Sequence, residues 1–244
     1  MKPFDLFMPT FNSAKLLPIV LPRIEKVIST SAINKKFIVD DFSSDDTCKV
    51  AESLGWTVAR NKVKGLNNAQ KYGFSLVETE CCAVFEHDVF LAENWFNTIP
   101  ALVYSGKYDA AQGIRVRNLR GFKEADLYDY DNRFIRTEDN TFYRMGKNAL
   151  PQFWNTYNFK KYCIRKDVCS IHLKGDLTTC LRHDYFISRT FNGESLLHLL
   201  KGFLHSPFLS LKVFKKNGGL SVLFVYPMER LLYFSGGLIK KSIR

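Results

Sequence analysis

Two short runs of this chain close on carboxylates: Phe37-Ile38-Val39-Asp40-Asp41 and, further on, Ala83-Val84-Phe85-Glu86-His87-Asp88. Each pairs an apolar stretch of strand character with acidic side chains at its end. In an open parallel sheet, ligands bind beyond the carboxyl ends of the strands. Carboxylates placed there can accept hydrogen bonds from a nucleotide and hold a divalent cation, because hard cations take one or two carboxylates together with substrate phosphates. The chemistry to expect is that of an enzyme working on a metal-bound nucleotide.

The elements that would position these residues alternate at βαβ spacing. Asp5-Leu6-Phe7-Met8-Pro9 reads as a strand closing on the turn residues Thr10-Phe11-Asn12-Ser13. A helix is expected from about Pro18, since proline is tolerated in the first turn. Ile19, Val20, Ile24, Val27 and Ile28 recur at helical spacing, with Pro22 as a local conflict. Phe37–Val39 predicts the second strand, and Asp45-Asp46-Thr47 offers capping oxygens for a helix to about Leu54 that Gly55 closes. Trp56–Ala59 predicts a third strand, Asn67 or Asn68 a cap for a helix through Val77, and Cys81–Phe85 a fourth strand. This alternation implies right-handed βαβ units and a parallel sheet. Asp109–Val116 predicts a further strand, while residues 120–160, polar and aromatic, predict loops over a cleft.

From Glu194 onward the pattern changes. Leu196, Leu197, Leu199, Leu200, Phe203 and Leu204 recur as on an amphipathic helix, and Leu220–Ile239 is a second apolar block broken by Pro227, Glu229 and Arg230. A charge at the centre of a membrane span costs about 2.5–3.5 kcal/mol, so helices lying in the membrane interface fit better than a span. The net charge is +11, and from residue 201 onward eight basic residues stand against Glu229 alone. Such a tail suits phosphate-bearing surfaces. The six cysteines include no Cys-x-x-Cys pair, which argues against a zinc site, and the opening Met1-Lys2-Pro3-Phe4-Asp5 lacks the apolar core of a leader. A reducing cytoplasmic setting is expected, on the inner face of the cell membrane.

The motifs together resemble those of the family-2 glycosyltransferases. Phe7-Met8-Pro9-Thr10-Phe11-Asn12 is similar to the family's first strand and loop, apolar-P-x-aromatic-N. Val39-Asp40-Asp41-Phe42-Ser43-Ser44-Asp45-Asp46-Thr47 resembles its V-D-D-x-S-x-D-x-T signature. Glu86-His87-Asp88 falls where the family carries D-x-D, and Glu93-Asn94-Trp95-Phe96 follows as P-x-W-apolar does. Gly175-Asp176, with Arg182 six residues past the aspartate, resembles the G-E-D…R segment. The resemblance covers about residues 4–190. The chain departs from the pattern at Glu86, at Lys174-Gly175-Asp176, which lacks the glutamate, and at Gln70 and Lys71, where many members have Arg-Asn. It has no Q-x-x-R-W segment, which argues against a processive synthase.

The resemblance implies an α/β GT-A three-layer sandwich with a mostly parallel central sheet over residues 1–194, plus an amphipathic, basic helical appendage over 195–244. It implies metal-dependent, inverting transfer from a nucleotide-sugar donor to a saccharide or lipid-linked acceptor. Asp88 and Glu86 would hold Mg²⁺ or Mn²⁺, with His87 a structural residue. Asp41 would bind base or ribose, with Asp40 more suited to orienting the loop. Pro9, Asn12, Lys64 and Lys71 would lie on the donor side, Arg182 near phosphate, and Asp176 would be the base. His172 and His183, flanking the segment of Asp176 and Arg182, could touch diphosphate or metal. Each has a plainer reading beside it: Asp40 and Asp41 as turn caps, Asp176 as a helix N-cap, the lysines as solvated charges, His172 and His183 as structural histidines. Trp154, Tyr157 and Phe159 offer ring faces to sugars, whereas Trp95 suits the core. The membrane surface is the expected partner of the tail, and nucleic acid is not expected. Two other classes stay open: a nucleotidyltransferase, against which no Gly-rich phosphate loop is present near the N-terminus, and a catalytically silent binding protein on the same scaffold.

Overall fold

The computed structural model describes residues 1–118, 134–137, 144–147, 162–173, 175, 177–179, 181–182, 185, 196–217 and 222–242. The chain divides into two compact units, residues 1–116 with 137–173, and 117–136 with 174–244.

The first unit is built on a sheet. Strands β1 (Phe4–Thr10), β2 (Ile33–Asp40), β3 (Thr57–Arg60) and β4 (Cys81–Val84) alternate with helices α1 (Leu17–Val27), α2 (Thr47–Ser53) and α3 (Leu66–Ser75). They are followed by β5 (Val89–Phe90), α4 (Trp95–Tyr104), β6 (Ala110–Asn118), β7 (Phe134–Thr137), β8 (Arg144–Lys147) and β9 (Tyr162–His172). The strand order is β3-β2-β1-β4-β8-β6-β9-β5, with β7 off this path. Strands β3, β2, β1 and β4 run parallel, and the β6–β9 pair is parallel; β8 and β5 run antiparallel to their neighbours.

This order has a consequence for function. The chain steps from β1 to β2 to β3 in one direction, then crosses back to β4 on the far side of β1. Right-handed crossovers put α1 and α2 on one face and α3 on the other. The reversal between β1 and β4 is a topological switch point, where a crevice opens beyond the carboxyl ends of the strands.

Packing follows from the apolar strand cores. Phe7 stacks on Phe37 with centroids 5.5 Å apart, and Phe74 of α3 meets Phe7 edge-on at 4.9 Å. Gly73 permits that approach, since a Cβ there would lie 2.3 Å from the Phe7 ring. Leu17, Val20, Leu21 and Ile24 bury the inner stripe of α1, with Pro22 accommodated inside the helix. Pro9 is tolerated in a central strand for a geometric reason. Phe7 O accepts from Phe85 N on the β4 side, and residues two apart point the same way. The missing N–H of Pro9 therefore points past Val84, where β4 has ended.

Two expectations are corrected. The cap of α3 is Gly65, with φ +124, rather than Asn67 or Asn68; Asn68 Nδ2 instead donates to Lys64 O at 3.0 Å. The 120–160 segment is not all loop, because Arg144–Lys147 forms β8, inserted between β4 and β6. The long strand β9 follows it, although its centre carries Arg165, Lys166 and Asp167.

The second unit contains α5 (Leu196–Asn217) and α6 (Val222–Ser242), which pack on one another through stacked Phe203 and Phe234 and a close approach of Leu199 to Gly237. Pro207 lies inside α5 and cannot donate to Phe203 O; Ser206 Oγ takes that acceptor at 2.6 Å. Leu197, Leu204, Phe208 and Leu211 of α5 and Phe224, Met228, Leu231 and Leu238 of α6 remain exposed at near-heptad spacing. Among the described residues, no helix is long and apolar enough to cross a membrane.

Candidate functional site

Register brings residues from three separate strands to one rim. Val84 of β4 lies beside Arg144 of β8, which lies beside Gln112 of β6; further along β6, Arg115 pairs with Ser170 of β9 and Val116 with Ile171. Glu86 and Asp88 continue from β4, and His172 ends β9. The antiparallel pair Val89–His172 and the bond from Leu173 N to Asp88 O at 2.7 Å lock His172 beside the acidic motif.

The side chains then meet. His172 Nε2 and Asp88 Oδ2 are 2.9 Å apart, so a proton on Nε2 joins them. Arg115 Nη1 donates to Glu86 Oε2 at 2.8 Å and lies 3.4 Å from His172 Nε2. Burial works to raise the Asp88 carboxyl, but the charge and hydrogen bond of His172, with the charges of His87 and Arg115, outweigh it and hold the group well below the usual carboxylate range. Asp88 is therefore an ionised acceptor at neutral pH.

One ligand atom each from Glu86, Asp88 and His172 falls within 4.8 Å of the others. Ligand atoms on one cation with bonds of about 2.1 Å stand about 3.0 Å apart when adjacent and about 4.2 Å when opposite, so the three side chains would draw together by about an ångström to share an ion. Two carboxylates and one imidazole form a suitable donor set, and an ion would take the place of the proton between His172 and Asp88.

The carboxylates closing β2 are held differently. Asp41 is buried, and Oδ1 accepts from Asn61 Nδ2 at 2.7 Å and Gly65 N at 2.8 Å, with Oδ2 accepting from Gly65 N at 3.0 Å. It braces the turn into α3. Asp40 is wholly buried; Oδ2 accepts from Ser43 N at 3.3 Å and Arg60 Nη1 at 3.2 Å, while Oδ1 has no hydrogen-bond partner among the described residues.

Asn12 sits in the left-handed region, φ 48, which asparagine tolerates better than most residues. Its Oδ1 accepts from Ser44 N at 2.9 Å, and its N–H donates to Ser43 Oγ at 2.9 Å, zipping the loop after β1 to the loop after β2. Ala14 N donates to Asp45 Oδ2 at 3.1 Å in the same seam. Phe42 holds φ 62, a strained value for an aromatic residue. Phe11 and Phe42 are both exposed on these loops, and Lys64 Nζ stands 5.7 Å over the Phe11 ring. Lys71 is exposed on α3.

Pro9, Asn12, Asp40, Asp41 and Lys64 thus gather around the ends of β1 and β2, and Glu86 with Asp88 around the end of β4. Arg182 is exposed in a helical stretch. Asp176 lies outside the described residues, as do His183, Trp154, Tyr157 and Phe159. Trp95 is core, packed on Phe85 at 5.2 Å. His172, for which the sequence favours a structural role over contact with metal or diphosphate, is part of the acidic cluster, and Arg115 joins it with no motif to mark it. A signal for His172 was present, since Val168-Cys169-Ser170-Ile171-His172 repeats the grammar of an apolar run closing on a ligating residue.

Comparison with known proteins bears on the family and the fold. The chain matches the family model described as Glycosyl transferase family 2 over residues 5–170. Among solved structures it is similar to S. aureus TarS 1-349, at 14% identity and TM-score 0.55, over 100% of this chain and 92% of that one. The same protein in complex with UDP-GlcNAc matches at 13% identity and TM-score 0.54, over 100% and 93%. Mannosyltransferase PcManGT from Pyrobaculum calidifontis, in complex with GDP-Man and Mn²⁺, matches at 12% identity and TM-score 0.56, over 95% and 74%. Identities this low speak for a shared fold.

Proposed function

Because the chain belongs to glycosyl transferase family 2, we propose that it moves a hexosyl group from a nucleotide-sugar donor to an acceptor hydroxyl, with inversion and with a divalent cation at Glu86, Asp88 and His172. The observation that carries this reading is the convergence of those three side chains at the switch point, beyond the carboxyl ends of the strands. A cation bound there would supply positive charge to the departing nucleoside diphosphate. Mg²⁺ or Mn²⁺ suits the two carboxylates of the set.

The chain's own groups divide the remaining work. The zipped loops after β1 and β2 form the donor floor: Asp41 shapes it by holding Asn61 and Gly65, Asp40, wholly buried, orients the loop after β2 through Ser43 and Arg60, and Phe11 offers a ring face to the base. Pro9 and Asn12 fix the path of that floor, and Lys64 and Lys71 add positive charge at its edge. Asp176, by resemblance to the family's G-E-D segment, takes the acceptor proton as the hydroxyl oxygen attacks the anomeric carbon and the bond to diphosphate breaks. Arg182 steadies phosphate in the same segment.

Residues 1–194 would carry catalysis, and 195–244 a basic appendage that lies on the cytoplasmic face of a membrane. The exposed apolar stripes of α5 and α6 support this, because interfacial helices bind through buried apolar area and through attraction of Lys and Arg to anionic lipid. A saccharide or polyprenyl-linked acceptor would meet the enzyme there. Vesicle co-sedimentation of the full chain tests the appendage: binding to anionic but not neutral vesicles is expected, and no binding to either removes it.

A melting screen with Mn²⁺ and nucleoside diphosphates tests the reading itself, starting with UDP and GDP. A ligand at a hundred times its dissociation constant adds about 2.7 kcal/mol of stability. Donor turnover that disappears in Asp88→Ala supports an enzyme; unaltered melting with every nucleotide and no turnover would leave a silent scaffold.

A further inference from the structure

Arg115 stands inside the acidic cluster rather than at its edge. Its Nη1 is 2.8 Å from Glu86 Oε2 and 3.4 Å from His172 Nε2. The side chains of Arg115, Glu86 and Asp88 are 14%, 19% and 21% exposed, so the group is sheltered yet reachable. An ion pair taken out of water gains little net stability, because desolvation offsets the attraction. Stability alone therefore gives little reason to set one among prospective metal ligands.

The charge balance suggests what it does. Glu86 and Asp88 together carry two negative charges, and a bare acidic pair would repel the diphosphate it has to receive. Arg115 returns one positive charge to the rim without needing an ion. Its guanidinium presents N–H donors in a planar fork whose spacing matches phosphate oxygens, and such charge-assisted bonds are about twice as strong as neutral ones.

We propose that Arg115 is the site's permanent cation, a diphosphate-binding residue that shares the donor's phosphate charge with the divalent ion. This rests on the glycosyl-transfer reading. It has a consequence of unusual sign. A fixed positive charge beside the ligands opposes the free metal ion while attracting the diphosphate. Removing it should therefore strengthen binding of one and weaken binding of the other.

Calorimetric titration of the full chain with MnCl₂ alone, and with inorganic pyrophosphate in EDTA, reads both effects. In Arg115→Gln, metal-free pyrophosphate binding is expected to weaken about ten- to a hundredfold, while Mn²⁺ binding tightens. Arg115→Lys should retain part of the pyrophosphate affinity. The double variant Glu86→Gln/Arg115→Gln removes the pair together, so no unpaired carboxylate is left to disturb folding, and it should still lose pyrophosphate. Both ligands weakening together in Arg115→Gln, or neither changing, would reduce Arg115 to a structural partner of Glu86 and overturn the proposal. Wild-type protein that binds neither Mn²⁺ nor pyrophosphate, alone or together, would instead remove the glycosyl-transfer reading beneath it.

Discussion

Asp41, just beyond β2, and Asp88, beyond β4, flank the same strand, β1, and arise from similar sequence, yet they are held by different kinds of partner. Asp41 is gripped by Asn61 and by the backbone N–H of Gly65. Asp88 faces an imidazole at 2.9 Å, and Glu86 faces a guanidinium. A backbone amide cannot leave, whereas a proton on His172 can be exchanged for a metal ion. The partner, more than the motif, decides whether an acidic residue braces the fold or waits for a ligand.

Substitutions on the two sides should therefore fail differently. The largest effect is expected from Asp88→Asn: a drop in turnover of roughly a hundredfold or more and loss of Mn²⁺ binding, with the melting temperature little changed. Asp41→Ala should do the reverse. It strands the buried donors of Asn61 and Gly65 at a cost of about 1–3 kcal/mol, seen as melting lowered by about 2–10 °C, while Mn²⁺ affinity holds. Equal loss of metal binding in both variants would erase the distinction.

A pair of glycines sharpens the same comparison. An added Cβ at Gly73 would lie 2.3 Å from the Phe7 ring, and one at Gly113 would lie 2.4 Å from Val168 O. Gly73→Ala should cost about 1–3 kcal/mol by overpacking without touching the metal site. Gly113→Ala pushes β9 away from β6, and with it His172 away from Arg115, so its larger signature should be weaker Mn²⁺ binding by calorimetry.

The smallest effect concerns thiols. Burial, with Cys81 and Asp5 nearby, pushes the Cys82 thiol well above its ordinary value, so iodoacetamide should leave it unmodified in the native protein while the partly exposed Cys163 and Cys169 react. Peptide mass mapping checks this.

The sequence side of the account is uneven for physical reasons. The first four strands and three helices were legible because each buries a short apolar run or a helical stripe, whereas the reversal at β4 is a matter of strand pairing, since a right-handed crossover could also place β4 outside β3. Strand β8, Arg-Met-Gly-Lys, has no apolar run, and its place in the sheet comes from its neighbours. Strand β9 was hidden by Arg165-Lys166-Asp167, which fall where its register with β6 shifts between Gln112 and Ile114. The same holds at the site. Glu86 and Asp88 announce themselves as a local motif, but Arg115 and His172 reach them only through strand pairing, which no spacing rule encodes. Asp41 was legible as a nucleotide ligand or a turn cap, but not the turn it braces, since Asn61 and Gly65 become its partners only once α3 has folded back over the sheet.

The most direct test of the central claim is electron paramagnetic resonance of Mn²⁺ titrated into the full chain with a nucleoside diphosphate, for wild type, Asp88→Asn and His172→Ala. Bound Mn²⁺ in the wild type and its loss in both variants is the result predicted for a cation seated between β4 and β9. Mn²⁺ that stays bound when either residue is replaced would contradict it.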